Sequence, residues 1–159
     1  MNEKNFKRYL IQVAAIVATA CTPVLFFNIL IDPLWHFGGN QLTGINYSID
    51  ERTSKINLFT KNPNRYNCII FGSSRTTLLQ AGDLNNWHCF NLAFSSGKIE
   101  EFIAFAHYLR ALDFSPELVV VGVDGFNFIS DESDKPDIPK FILEKKHPPN
   151  FIQDYLSFD

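Results

Sequence analysis

The amino-acid sequence predicts an α/β domain with an open parallel sheet, preceded by one transmembrane helix. Residues 9–31 form a long run without charged side chains, as a membrane-crossing helix requires. Beyond residue 66, three short apolar runs alternate with helical or turn segments and end in Gly, Ser or Asp. This alternation is typical of buried parallel strands joined by helices.

The composition indicates one globular domain. Hydrophobic residues make up 46% of the 159 residues and charged residues only 19%, which excludes a disordered, collagen-like or disulfide-dense chain. Lys and Arg number 14 against 17 Asp and Glu, and the formal net charge is −3. This balance argues against binding of a polyanion as the main function, and we expect no nucleic-acid partner.

The run from Tyr9 to Ile31 is the strongest physical signal in the sequence. Its 23 residues would extend about 34 Å as a helix, enough to cross the hydrocarbon core of a bilayer. Three basic residues and one acid precede the run, so the positive-inside rule places residues 1–8 in the cytoplasm and the chain after Ile31 outside. We predict a single-pass protein of the cytoplasmic (inner) membrane, with the lipid bilayer as a partner.

A cleaved signal peptide is the alternative to an uncleaved anchor. Ala18-Thr19-Ala20 has the small-x-small pattern that signal peptidase recognises. However, the apolar run continues to Ile31, beyond the roughly 7–15 apolar residues of a signal peptide. The length therefore favours an uncleaved anchor over residues 9–31.

Residues 32–66 are interpreted as a connector between the anchor and the domain. Turn formers recur here, at Asp32-Pro33, Gly38-Gly39-Asn40 and Asn62-Pro63-Asn64. A short amphipathic stretch lies between Glu51 and Thr60. The α/β domain then occupies residues 67–159.

The elements of this domain follow from apolar patterning. We predict a first strand at 68–71, a helix from the Gly72 turn to Gly82, a second strand at 89–93, an amphipathic helix at 98–113 and a third strand at 118–123. Apolar residues at three- and four-residue spacing, from Ile99 to Leu112, predict the amphipathic helix. The third strand is apolar on both faces, so we expect it to be central in the sheet.

Polar residues follow each predicted strand. Gly72-Ser73-Ser74 follows the first strand, Ser95-Ser96-Gly97 the second, and Asp124 with Asn127 the third. Parallel strands end at one edge of a sheet, where ligands of open α/β sheets bind, so we expect these residues to meet there. A serine at a helix N-terminus lies among backbone N–H groups that stabilise negative charge, and Gly97 lets a second N–H approach. The pattern fits a nucleophilic serine, and the ordinary alternative is a serine pair that only caps a helix.

With these blocks in this order, the sequence resembles the SGNH/GDSL hydrolase superfamily, in particular its membrane-anchored bacterial members. The resemblance covers residues 32–128 and rests on Asp32-Pro33, Arg52 with Lys55, Ile70-Phe71-Gly72-Ser73-Ser74-Arg75, Asn91-Leu92-Ala93 with Gly97, and Val121-Gly122-Val123-Asp124. It implies a partial flavodoxin-like fold of the SGNH type. It also implies an esterase or O-acyltransferase that acts on acyl esters of envelope polysaccharide, with neither a metal nor an organic cofactor.

The resemblance implies roles for individual residues. Ser74, two positions after the glycine, would be the nucleophile, and Gly97 would donate an N–H to the oxyanion. Asp124 occupies the third-strand polar position, where many members of the family have Asn. The candidate substrate-binding residues are Ser73, Arg75 and Asn127.

One part of the family pattern is absent from the sequence. Members carry the general base in a late Asp-x-x-His motif, which does not occur here, and the histidines are His36, His88, His107 and His147. Three strands are also fewer than this fold usually has, so we expect a truncated chain. The alternative is a non-catalytic, membrane-anchored binding or scaffold protein that holds a glycan or an envelope protein at the same edge.

The cysteines leave two alternatives open. Cys68 and Cys89 begin two strands that are expected to be neighbours, so they form either an extracytoplasmic disulfide or two buried thiols. Cys21 lies in the anchor. The sequence has no metal-ligand spacing, and we expect no metal site.

Overall fold

The computed structural model describes residues 3–45, 49–79, 84, 86–128 and 135–156. Within these residues the helices and strands are α1 (Glu3–Ile31), α2 (Glu51–Lys61), β1 (Cys68–Phe71), β2 (Cys89–Asn91), α3 (Ile99–Ala111), β3 (Leu118–Val121), α4 (Lys140–Leu143) and α5 (Phe151–Leu156). Short 3₁₀ turns lie at Pro63–Arg65, Thr76–Leu78 and Gly125–Phe128. The element order confirms a mixed α/β fold that follows one long N-terminal helix.

α1 contains the predicted apolar run. No residue of this helix is buried, and apolar side chains are exposed around it. A helix that is apolar on all sides is suited to a lipid environment rather than to water. α1 is long and apolar enough either to anchor the chain in a membrane or to serve as a signal sequence.

α2 is a capped helix that packs against the sheet. The carboxylate of Asp50 accepts hydrogen bonds from the backbone N–H groups of Arg52 (3.0 Å) and Thr53 (3.1 Å), which satisfies two donors at the start of the helix. Further along the helix, Ile56 and Phe59 are fully buried. The amphipathic stretch within residues 32–66 is therefore a helix of the domain core.

Within the described residues, the sheet has three parallel strands in the order β2-β1-β3. The prediction that the third strand is central is wrong, because β1 is central and β3 lies at an edge. Leu118 and Val120 pack on one face of the sheet, whereas Val119 and Val121 on the other face remain 47% and 48% exposed. An apolar run shows which side chains a strand could bury, but the segments packed around the strand decide which of them become buried.

Cys68 and Cys89 lie opposite each other in the parallel register of β1 and β2. Their Cα atoms are 4.2 Å apart, and the two side chains form a disulfide. Of the two alternatives, the structure therefore has the disulfide and not two thiols.

The prediction of a helix from Gly72 towards Gly82 is wrong over the described residues. Only the 3₁₀ turn Thr76–Leu78 follows β1, and Leu79 has extended backbone angles. The side-chain amide of Asn91 donates to the carbonyls of Thr76 and Leu79, at 2.9 Å each, and so occupies acceptors that a continuing helix would use. Gly82 lies outside the described residues.

The core lies between the sheet and helices α2, α3 and α4. It is dominated by aromatic side chains that meet in edge-to-face, stacked and tilted pairs. The buried members of this cluster are Ile56, Phe59, Ile69, Phe71, Phe90, Leu92, Phe94, Phe102, Phe105, Tyr108, Leu109 and Ile142.

Candidate active site

The residues that follow β1, β2 and β3 meet at one edge of the sheet, here called the carboxyl edge. Ser73 Oγ donates a hydrogen bond to Asp124 Oδ2, which joins the ends of β1 and β3. Asn127 Oδ1 accepts from the Asp124 N–H (2.9 Å), and Asn127 Nδ2 donates to the Gly97 carbonyl (3.1 Å). One network of hydrogen bonds therefore links the segments after all three strands.

Gly97 is in close contact with the end of β1. A Cβ atom at this position would lie 2.8 Å from the Gly72 carbonyl oxygen and 2.8 Å from Phe102 Cε1, so only glycine fits without a shift of the backbone. The Phe94 N–H donates to the same Gly72 carbonyl (3.1 Å). The loop between β2 and α3 is thus held directly against the serine turn, the turn at Gly72-Ser73-Ser74 that follows β1.

The two adjacent serines have different surroundings. Ser73 is buried, and its carbonyl accepts from the N–H groups of Thr76 (2.9 Å) and Thr77 (3.3 Å), which forms the turn. Ser74 is exposed, and neither its Oγ nor its N–H bonds to another described residue. Ser74 is therefore the serine that a substrate can reach, and its N–H is available to an oxyanion.

The Gly97 N–H donates to the Phe94 carbonyl (3.2 Å) in the turn that contains Ser96 at a φ of 55°. The arrangement brings Gly97 to the carboxyl edge but directs its N–H into this turn. An oxyanion would have to replace the Phe94 carbonyl as the acceptor.

Asp124 is an acceptor in the carboxyl edge. Its Oδ2 accepts from Ser73, and its Oδ1 lies 3.4 Å from Arg75 Nη1, whose side chain is exposed. A carboxylate that accepts from both sides positions the serine turn, but it does not donate to an oxyanion.

The N-terminal half of α2 supports the loop that carries Gly97. The Glu51 carboxylate accepts from the Ser95 N–H (2.5 Å) and the Ser95 hydroxyl (3.0 Å), and Lys55 Nζ donates to the Ala93 carbonyl. Burial lowers the pKa of Lys55, and the neighbouring Glu51 carboxylate opposes this shift. Glu51 and Lys55 of α2 thus bind the backbone of Ala93 and Ser95, shortly before Gly97.

A buried ion pair ties α2 to α3. Arg52 Nε and Nη2 donate to Glu101 Oε1 at 2.9 and 2.7 Å, and Glu101 is fully buried. Glu101 also accepts from the backbone N–H groups of Lys98 (2.8 Å) and Asp137 (2.9 Å). The Arg52 guanidinium lies 4.4 Å from the centre of the Phe94 ring, a cation–π contact.

Sequence reasoning found only part of this support. Arg52 and Lys55 entered through the resemblance, whereas Glu51 and Glu101 did not stand out. Glu101 carried a usable signal, because Glu at the third position of a helix commonly accepts from the backbone N–H at the start of that helix. Glu51 carried none, because an acid in the first turn of a helix is ordinary.

The structure gives Ser74 no histidine partner among the described residues. His88 precedes β2 at the opposite end of the sheet, and His107 lies more than two turns into α3. His36 pairs with Asp154 instead (2.6 Å). Burial raises the pKa of Asp154, and the hydrogen bond from His36 opposes this shift.

Glu144 and His147 form a Glu-x-x-His sequence, which is related to Asp-x-x-His. Glu144 stands three residues before His147, but its carboxylate pairs with Lys146 Nζ (2.6 Å), which lowers the Glu144 pKa. Asp137 lies beside the start of α3, and Phe141 beside Tyr108 further along it (5.7 Å between ring centres). The chain therefore runs away from the carboxyl edge before it reaches Glu144.

The chain matches no family model, no curated protein and no solved structure. Across the described residues, no group of three His, Cys, Asp or Glu side chains could hold a metal ion. Any functional conclusion therefore depends on the geometry of the carboxyl edge itself.

Proposed function

We propose that this chain is a membrane-anchored, extracytoplasmic serine esterase or O-acyltransferase of the SGNH type. The observation that carries the proposal is the junction of Ser73, Asp124, Asn127 and Gly97, which presents an exposed Ser74 beside it. The class of substrate, acyl esters of envelope polysaccharide, follows from the sequence resemblance.

In the proposed reaction, Ser74 Oγ attacks the acyl carbon, and the ester C–O bond breaks as the alcohol leaves. The Ser74 N–H, which has no acceptor among the described residues, stabilises the oxyanion, and the Gly97 N–H joins it by leaving the Phe94 carbonyl. A base must take the proton of the Ser74 hydroxyl and pass it to the leaving alkoxide, and no described histidine contacts Ser74. The acyl group then passes to water or to a sugar hydroxyl.

The location is supported by two features. The uncharged run of α1, residues 9–31, follows Lys4, Lys7 and Arg8, a charge pattern that favours a cytoplasmic N-terminus. The Cys68–Cys89 disulfide fits an oxidising compartment such as the periplasm. Together they favour an inner-membrane anchor with the domain on the extracytoplasmic side.

A second candidate is a non-catalytic binding or scaffold protein in the same membrane. It is favoured by the Gly97 N–H, which already has an acceptor, and by the lack of a base in contact with Ser74 among the described residues. In this case the carboxyl edge would hold a glycan or an envelope protein without chemistry.

Labelling with a fluorophosphonate separates the two candidates. The full chain in detergent should be labelled, and Ser74→Ala should lose the label. Ser96→Ala removes another exposed serine of the same edge and should keep it. If the folded wild-type chain stays unlabelled, the binding protein is the better conclusion, and equal labelling of Ser74→Ala would exclude Ser74 as the nucleophile.

A further inference from the structure

The loop after α1 exposes apolar side chains next to the end of that helix. Phe37, Leu42 and Ile45 are 47%, 56% and 55% exposed. The Gln41 N–H donates to the Leu30 carbonyl (2.9 Å), so this loop turns back onto the last turn of α1. Single exposed apolar residues are common, but three of them beside a lipid-facing helix form a continuation of its apolar surface.

The level of this loop in a bilayer follows from the length of the helix. The 23 uncharged residues from Tyr9 to Ile31 cover about 34 Å, whereas the hydrocarbon core is about 30 Å thick. With the core filled, Leu30 lies at the start of the headgroup layer. Leu42 and Ile45, which lie close to Leu30 through Gln41, are therefore at the interface between lipid and water.

α2 is hydrogen-bonded to residues 33 and 34, which come shortly after α1. Ser54 Oγ donates to the Pro33 carbonyl (3.3 Å), and Asn57 Nδ2 donates to the Leu34 carbonyl (3.0 Å). Lys61 is one further turn along this helix. The middle of α2 therefore lies beside residues 33 and 34, which follow α1, and Lys61 is at the C-terminal end of the same helix.

Lys61 and Arg65 border a cleft of 530 Å³ that also includes Asn62, Pro63 and Asn64. Both basic side chains are exposed, and neither forms an ion pair with a described residue. Two cations with amide side chains between them are suited to a phosphate group.

One carboxylate, Asp32, lies close enough to Lys61 to act on its charge, but it is buried and hydrogen-bonded within the protein. Asp32 is fully buried, and its Oδ2 accepts from the N–H groups of Phe37 (2.7 Å) and Gly39 (2.7 Å). Lys61 is exposed but partly shielded from water by its neighbours, which lowers its pKa, and the negative charge of Asp32 opposes this shift, so Lys61 lies within the field of Asp32. The Asp32 carboxylate is directed into the protein, whereas the cleft opens to solvent.

We propose that Phe37, Leu42, Ile45, Lys61 and Arg65 form a membrane-docking surface that binds the headgroups of anionic phospholipids around α1. The apolar side chains enter the interface, and the two cations bind lipid phosphates. This proposal goes beyond catalysis and rests on one part of the proposed function, the insertion of α1 in the membrane.

Docking of this surface would orient the candidate active site. The N-terminal end of α2 contacts Ser95 at the carboxyl edge, and its C-terminal end leads through Pro63–Arg65 into the start of β1. The cleft and the carboxyl edge are therefore at opposite ends of the four-residue strand β1, about 13 Å apart along it. Ser74 would face away from the bilayer, towards polymers or soluble acyl donors.

Native mass spectrometry of the full chain tests the lipid preference. We expect phosphatidylglycerol to bind more tightly than phosphatidylcholine, and the double variant Lys61→Gln/Arg65→Gln to bind it about 25-fold more weakly, about fivefold for each cation. The double variant Arg110→Gln/Lys140→Gln removes the same charge from exposed positions on α3 and α4, and it should bind as the wild type does.

Three results would overturn the proposal. These are equal affinity for the two lipids, equal loss in both double variants, and displacement of phosphatidylglycerol by inorganic phosphate. The last result would assign the cleft to a soluble phosphate.

Photo-crosslinking in lipid nanodiscs separates docking from insertion. Benzoylphenylalanine introduced at Val17 in α1 and at Leu42 should form lipid adducts, whereas at the exposed Leu78 near the carboxyl edge it should not. Adducts at Val17 without adducts at Leu42 would overturn the docking surface and leave the anchor intact. Without adducts at Val17, the anchor itself would be refuted.

Discussion

The buried ion pair between Arg52 and Glu101 gives the sharpest test of how the candidate active site is held. Glu101 is 0% exposed and the Arg52 side chain only 14%, so removal of either charge leaves the other largely out of water. Such a break costs about 3–5 kcal/mol. We therefore expect Arg52→Met and Glu101→Leu each to lower the free energy of unfolding by that amount.

The double variant Arg52→Met/Glu101→Leu should cost less than the sum of the two single variants, about 6–10 kcal/mol. The double variant removes both charges of the pair. Its remaining cost in free energy of unfolding comes from the Lys98 and Asp137 N–H groups, which lose Glu101 as their acceptor, at about 1–2 kcal/mol each. The coupling free energy of the pair should then exceed about 2 kcal/mol.

Urea unfolding of the full chain in detergent, followed by tryptophan fluorescence, measures these changes. Lys146→Met breaks an exposed ion pair of nearly the same length, 2.6 Å for Lys146–Glu144 against 2.7 Å for Arg52–Glu101. The Lys146 side chain is 71% exposed, so this variant should leave the midpoint unchanged. The reasoning would be refuted by single variants that cost less than about 1 kcal/mol, or by a double variant that equals the sum.

Three further predictions concern the sheet and its carboxyl edge. Gly97→Ala should destabilise the fold by about 1–3 kcal/mol because its Cβ would lie 2.8 Å from a backbone oxygen, whereas Gly125→Ala, with nothing within 4 Å, should be neutral in the same urea assay. Cys68→Ala/Cys89→Ala should cost about 3 kcal/mol, the value expected for a closed loop with a separation of 21 residues, and a thermal scan with and without reductant should show the same loss. The pKa of Lys55 is lowered in the folded chain, so between that value and 10.5 the unfolded chain binds more protons and stability should rise with pH. Because the pKa of Lys61 is lowered too, Lys55→Met should make this rise shallower without abolishing it, in unfolding curves recorded across that range. An unchanged slope would count against burial of the Lys55 ammonium group.

Local sequence patterns were sufficient to predict the helices and strands whose signals lie in consecutive or regularly spaced residues. The uncharged run of α1 and the spacing from Ile99 to Leu112 each encode a helix in consecutive residues. The same holds for the apolar runs of the three strands. The meeting of Ser73, Gly97 and Asp124 at one edge followed as well, because parallel strands can only end on the same side.

Tertiary structure alone decided which of these residues became buried or paired. Ser73 and Ser74 are adjacent residues of the same type, yet Ser73 is bonded to Asp124 and Ser74 faces solvent. The central position of β1, the single turn after it and the contact of Glu51 with Ser95 depend on residues 15 to 50 positions apart. Sequence by itself determined the elements because their signals are local, whereas the support of the carboxyl edge arises only when distant segments pack.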